Sequence, residues 1–201
     1  MNVIRMTLAA VAVVAAGPAW AEKLSLNEIS KYLNGLKTAQ AQFTQLNDDG
    51  TISTGTIYIK RPGRARFEYN PPQDALVVVG GSQVAIFDGK SNAGPTQYPL
   101  KKTPLSVILA KNVNLGQERM VVGHSYDGTS TSVVAQDPTH PEYGSIKMMF
   151  TSNPTELRQW VITDNAGGET TVILGELKTG GALGSGLFSI NVELRKRNRG
   201  Q

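Results

Sequence analysis

Gly55-Thr56-Ile57-Tyr58-Ile59-Lys60-Arg61-Pro62-Gly63-Arg64-Ala65-Arg66-Phe67-Glu68-Tyr69, with Asn70-Pro71-Pro72 directly after it, reads as two strands about one turn. Successive side chains of a strand point to opposite faces, so Ile57, Ile59 and Arg61 share one face and Thr56, Tyr58 and Lys60 the other. An arginine therefore ends the apolar face. Past the turn, Ala65, Phe67 and Tyr69 share a face and Arg64, Arg66 and Glu68 take the opposite one, the pattern of an antiparallel sheet with a dry and a wet side. Pro62-Gly63 suits the two central positions of a type II turn, with proline fixing φ and glycine accepting φ > 0. Unprimed turns splay a tight hairpin, so the connection is expected to be slightly opened rather than a two-residue loop.

Upstream, Ser25-Leu26-Asn27-Glu28 has the spacing of a capping box, and Leu26, Ile29, Leu33 and Leu36 recur at helical spacing. This predicts an amphipathic helix leading into a strand around Ala41 to Gln45, with Asn47-Asp48-Asp49-Gly50 as a turn. Downstream, Leu76 to Asp88 reads as an apolar strand pair around Gly80-Gly81. Gly89, Gly94, Pro95 and Pro99 predict a loop from Asp88 to Thr103. Thr103 then caps a short helix with Pro104 at its first position and Leu105, Ile108 and Leu109 on one side. Short strands are expected at Arg119 to Val122, Thr131 to Ala135, Ser145 to Phe150, Leu157 to Thr163, Glu169 to Leu174 and Phe188 to Val192, a spacing that argues for a meander or barrel. Thr179 to Gly186 is a glycine-rich loop, and Arg195-Lys196-Arg197-Asn198-Arg199 reads as a solvated, frayed terminus.

Arg5 precedes an apolar run from Met6 to Gly17, and Ala19-Trp20-Ala21 places small residues where a signal peptidase reads them. The run is too short to span a bilayer. The expected organisation is a leader over residues 1–21, cleaved after Ala21, and one domain over residues 22–201. The chain of 201 residues has a net charge of +4, and loss of Arg5 leaves +3, a mild basic bias. Cysteine is absent, which removes disulfides, thiolate metal sites, a cysteine nucleophile and the acceptor for a lipid anchor.

Catalytic chemistry has little support. Gly123-His124-Ser125-Tyr126-Asp127-Gly128 lacks the glycine two residues after serine that a nucleophile elbow requires, and Tyr126-Asp127-Gly128 reads as a turn between strands. Asp137 to Glu142 contains His140 but no second histidine at ligand spacing. No cofactor, no metal site and no catalytic residue are expected.

What remains is a surplus of large apolar residues on strands that close about a helix. A small barrel either fills with its own side chains or holds a ligand. Inward candidates are Phe43, Ile57, Ile59, Phe67 and Tyr69 from the first half of the chain, and Met148, Phe150, Trp160 and Ile162 from the second. For each, ordinary core packing and cavity lining both stand open. The same holds for the Leu105 to Leu109 helix, which is either a core plug or a movable lid. From the residues alone, Arg61 either snorkels to solvent at its strand end or reaches backbone carbonyls nearby.

The run of glycine, strand, Lys60-Arg61-Pro62, short aromatic strand and proline-ended loop resembles the signature of the periplasmic lipoprotein carrier family, LolA. Leu76 to Asp88 is similar to that family's next hairpin, and Thr103 to Leu109 to its central lid helix. The resemblance implies a mainly β fold, a strongly curved antiparallel sheet forming an incomplete barrel covered by α-helices. It implies a non-enzymatic chaperone that holds lipoprotein acyl chains in an apolar cavity and carries them from the inner to the outer membrane. Arg61 would latch the lid, and Leu105, Ile108 and Leu109 would line the cavity with the nine strand residues above. Implied partners are acylated lipoproteins, an inner-membrane ABC-type release complex, and an outer-membrane receptor or the outer membrane itself. The carrier would act as a periplasmic monomer without nucleic acid. A lipid-sensing module of the same fold and a periplasmic hydrolase are the alternatives.

Overall fold

The computed structural model describes residues 22–90, 94–117 and 119–199; the leader expected over residues 1–21 lies outside them. Helix α1 (Leu26–Gly35) opens with the predicted capping box: Glu28 N donates to Ser25 Oγ at 3.2 Å, and Ser25 N to Glu28 Oε2 at 2.8 Å. Ile29, Leu33 and Leu36 are buried and Leu26 packs beside them.

Strands β1 (Thr38–Leu46), β2 (Ile52–Lys60), β3 (Ala65–Tyr69), β4 (Leu76–Gly80), β5 (Gln83–Phe87) and β6 (Thr96–Pro99) follow as a meander. A short helix α2 (Leu105–Leu109) then leads to β7 (Val121–Tyr126), β8 (Ser130–Gln136), β9 (Ser145–Thr151), β10 (Glu156–Thr163), β11 (Glu169–Leu174), the two-residue β12 (Lys178–Thr179) and helix α3 (Ile190–Arg199). All pairings among the described residues are antiparallel, in the order β6-β5-β4-β3-β2-β1-β11-β10-β9-β8-β7, with β12 beside the start of β1. The sheet is not closed: β6 and β7 are its free edges. An incomplete barrel with helices over its open side is the fold the sequence implied.

Alternation builds the interior. Ala39, Ala41 and Phe43 of β1 point in while Gln40, Gln42 and Thr44 point out. Gly55 is a close approach: a Cβ there would run into the Glu68 carbonyl oxygen and the Phe43 ring, so only glycine lets β3 pair with β2 over that ring. The ring of Phe43 uses the space, meeting Phe67 and Tyr69 edge-on at 5.7 and 5.1 Å. One apolar cluster joins α1, α2 and the inner face of both arms of the sheet.

One expectation holds at the first turn: Gly63 takes the positive φ (+68°) assigned to it and the connection is opened, with Lys60 N donating to Arg64 O at 2.9 Å; the Arg61–Pro62 peptide is cis. Several other expectations are corrected. The second face of β3 is not wet: Arg66 is buried, because α3 covers β3 to β5. Phe188 to Val192 is not a strand; Ser185–Phe188 forms a 3-10 turn and Ile190 begins α3. The basic tail is not frayed, since Ile190 and Leu194 seal a second small core of Leu76, Val78, Ala85 and Phe87. The stretch from Asp88 to Thr103 is not all loop; it holds β6 and a 3-10 turn at Leu100–Lys102. Thr103 does not cap α2 but donates to Leu100 O at 2.8 Å, and the strand expected at Arg119 starts only at Val121 and runs to Tyr126.

Candidate functional site

Helix α2 lies over the open side of the barrel and buries Val107, Ile108 and Leu109 against the interior. Its last carbonyls have no partners within so short a helix and are satisfied from outside. Gly63 N donates to Leu109 O at 2.8 Å, and Arg61 Nη2 to Ala110 O at 2.6 Å. The turn between β2 and β3 thus holds the end of α2. Further on, Asn34 of α1 grips Val113 with both halves of its amide, donating to Val113 O at 2.8 Å and accepting from Val113 N at 2.9 Å. Ser30 Oγ donates to Leu26 O at 2.7 Å and accepts from Leu115 N at 3.0 Å. On the other side of α2, Leu100 N donates to Ser82 O at 2.9 Å.

Arg61 is only 7% exposed, and its Nε and Nη1 have no hydrogen-bond partner. Burial pulls its pKa below the ordinary guanidinium value. No carboxylate pairs with it among the described residues, so a delocalised cation sits under the seam on one charge-assisted bond.

Nine of the twelve apolar residues named from the sequence are buried beneath this seam. Phe43, Ile57, Ile59 and Phe67 are buried on the left arm and Met148, Phe150 and Trp160 on the right; Ile108 and Leu109 close them from above. Tyr69, Leu105 and Ile162 are partly buried against the same cluster, and Tyr69 meets the Phe43 ring edge-on. Phe67 and Trp160 meet edge-on at 6.4 Å, joining the two arms across the interior, and Trp160 Nε1 is buried without an acceptor. Tyr32 of α1 meets Phe150 edge-on at 5.9 Å and accepts from Leu157 N at 3.1 Å. Clefts flank the lid: one of about 160 Å³ between α2, Val113, Met120 and the turn after β8, another of about 430 Å³ between α2, Pro99 and Gln83.

The sequence missed Leu157 as an inward residue. A bulge between Leu157 and Gln159 breaks the alternation, so Leu157 and Trp160 both point inward at a spacing of three. It also missed Asn34 and Ser30, although a polar residue on the apolar side of an amphipathic helix is a visible signal.

His124 and Ser125 do not form a reactive pair: the His124 ring Nε2 lies 2.9 Å from Leu24 O, and Ser125 is exposed on a free edge strand. Tyr126 to Ser130 is the predicted turn, closed by Asp127, whose carboxyl is held below its usual range by the Ser130 and Thr129 amides. His140 pairs with Glu142 at 2.9 Å on an exposed loop and stacks on Tyr143. Among the described residues no group of three or more His, Asp or Glu side chains is placed to hold a metal, and no helix is long and apolar enough to cross a membrane.

The described residues define a class by fold: an open antiparallel barrel whose apolar interior is roofed by helices, one of them pinned by a buried and under-satisfied cation. The chain belongs to the family described as "Outer membrane lipoprotein carrier protein LolA", whose model matches residues 34–191. It is similar to the outer-membrane lipoprotein carrier proteins of Azotobacter vinelandii (22% identical, 96% of each chain covered) and Chromobacterium violaceum (26% identical, 92% of this chain and 90% of that one). Among solved structures it is similar to a LolA superfamily protein from Nitrosomonas europaea, at 7% identity and a TM-score of 0.42 over 83% of this chain and 98% of that one.

Proposed function

We propose that this protein is a periplasmic, non-enzymatic carrier that shelters the acyl chains of lipoproteins in the space beneath α2. One acyl chain of about sixteen carbons resists leaving a bilayer by on the order of 12 kcal/mol, at about 0.8 kcal/mol per methylene. A soluble carrier must replace that environment and yet let go. Cargo would come from an inner-membrane ABC-type release complex and pass to an outer-membrane receptor or to the outer membrane itself.

The observation that carries this reading is the bond from Arg61 to Ala110 O over a continuous apolar interior. In the closed state Arg61 keeps one acceptor. When chains enter, α2 must lift, the bond breaks and the cation faces hydrocarbon, so Arg61 opposes the loaded state twice over. Release restores the bond. Arg61 is then a latch that favours emptying, and Phe43, Ile57, Phe67, Met148, Phe150 and Trp160 are the surface the chains touch once the roof has lifted.

The test is native mass spectrometry of the mature protein mixed with a detergent-released lipoprotein, followed by incubation with acceptor membranes. Wild type should form a soluble complex that membranes empty, and Arg61→Leu should form the complex and retain it. If neither protein takes up an acylated lipoprotein, the carrier reading fails and the interior is a permanent core.

A further inference from the structure

Strands β1 to β6 have two ends, and they differ in charge. At the end next to α2 stand Lys37, Lys60, Arg61, Arg64, Lys101 and Lys102, with no carboxylate in those turns. The turns at the opposite end carry Asp48, Asp49, Asp74 and Asp88 against Lys90. Lys60 and Arg61 are engaged with backbone carbonyls. Lys37, Lys101, Lys102 and Lys111 are exposed, and among the described residues none of their ammonium groups has a hydrogen-bond or ion-pair partner. Elsewhere Arg66, Arg158, Lys196 and Arg197 meet carboxylates, and further exposed cations, among them Lys31, Lys147, Lys178, Arg195 and Arg199, have no side-chain partner either. What sets the α2 end of these strands apart is that its free cations stand together with no carboxylate in the same turns.

Their arrangement follows from the backbone. Lys101 and Lys102 immediately precede α2, and Lys111 follows Ala110 at its end. Lys37 and Arg64 stand across the seam, because Arg61 N donates to Lys37 O at 2.8 Å and Gly63 N to Leu109 O. Asp137 shares a cleft with Lys101, but its Oδ1 is taken up by the Thr139 and His140 amides.

We propose that this rim docks on an anionic phospholipid bilayer, so that the carrier meets a membrane lid first. The inference rests on the carrier reading, which requires α2 to open where chains enter and leave. Charge complementarity selects the occupant: phosphate headgroups of a bilayer offer unpaired cations many equivalent partners on one plane. Each cation near a strongly anionic surface contributes roughly fivefold to partition, and the attraction fades over about 8 Å at physiological ionic strength. Four exposed lysines then contribute on the order of several hundredfold at low salt.

The experiment floats mature, cargo-free protein with vesicles of phosphatidylcholine alone and of phosphatidylcholine mixed with phosphatidylglycerol. Three proteins are compared: wild type, Lys37→Gln/Lys101→Gln/Lys102→Gln/Lys111→Gln, and Arg195→Gln/Lys196→Gln/Arg199→Gln, which strips exposed cations from α3 instead. Wild type and the α3 variant should bind the anionic vesicles, and salt should release them; the rim variant should lose on the order of several hundredfold at low salt. Equal binding to both vesicle types, or loss in the α3 variant with retention in the rim variant, overturns the proposal. Lipoprotein uptake is measured on the same samples. Rim-dependent binding without uptake would leave the docking surface standing and remove the carrier reading, and uptake with no preference for anionic vesicles would do the reverse.

Discussion

Arg61 and Arg66 flank one turn, and both are buried, at 7% and 8% exposure. Their surroundings are opposite. Arg66 Nε meets Glu68 Oε1 at 2.6 Å, and its Nη1 meets Glu193 Oε2 at 3.3 Å and Leu187 O at 3.2 Å. Arg61 has one backbone carbonyl and no counter-ion, with two of its nitrogens unsatisfied. A buried charge with paired carboxylates locks the elements that supply them, whereas one held by a single carbonyl keeps a standing desolvation cost and ties its neighbour less firmly. The outer contact, between β3 and α3, is held by paired charges; the inner one, between the β2–β3 turn and α2, rests on Arg61 and Gly63 N, each on one backbone carbonyl.

The largest effect should come from attacking the outer side. Arg66→Leu leaves Glu193 in place with only the more distant Lys196 (3.9 Å) and Arg197 (3.8 Å), an under-compensated buried carboxylate. Removing one member of such a pair costs about 3 kcal/mol. Urea unfolding should show that loss, and an unchanged midpoint would break the contrast between the two arginines. Next in size is an alkaline effect at Tyr69 on the inner side. Tyr69 donates to Gln45 Oε1 at 2.7 Å, and burial pushes its pKa up from 10 to about 12. The folded value lies above the unfolded one, so the neutral phenol's contribution is whole below pH 10 and is lost as pH rises towards 12. That contribution is on the order of 2 kcal/mol. Trp160, the one tryptophan among the described residues, reports the interior by fluorescence, and Tyr69→Phe should reduce the excess alkaline loss.

The same contrast explains what could be read from sequence. The inner side was legible because it follows a period of two: Ile57, Ile59, Phe67, Met148 and Phe150 all point where alternation puts them. Arg61 was placed by the same rule, as the last residue of an apolar face. The outer side was not legible by alternation, because α3 packs on a face the β3 pattern marks as polar. Its signal lay in the neighbouring strands: Leu76-Val77-Val78-Val79 and Val84-Ala85-Ile86-Phe87 are unbroken apolar runs, as expected of strands covered on both faces. The helix itself was hidden because its ten residues are mostly polar and charged, and only Ile190 and Leu194 pack on the core. No local propensity shows that Arg66 and Glu193, far apart in sequence, will find one another.

On the inner side the stability effect should be smaller and of opposite sign. Arg61→Leu replaces an under-satisfied cation with a side chain that suits the interior, and the folded protein should gain about 1 kcal/mol in urea unfolding. A loss as large as that of Arg66→Leu would show that the single bond to Ala110 holds the fold together, and the distinction would collapse. The smallest effect probes whether the outer contact has redundancy. Arg197 lies 4.7 Å from the centre of the Phe87 ring, donates to Asp88 O at 3.3 Å and stands 3.8 Å from Glu193. A cation over an aromatic face at a partly exposed site contributes about 0.5–1 kcal/mol, and Arg197→Gln should cost no more than that, because Arg66 continues to neutralise Glu193. If Arg197→Gln instead matched Arg66→Leu, the two arginines would form one indivisible network with Glu193. The α3 interface would then be anchored by that triad rather than by Arg66.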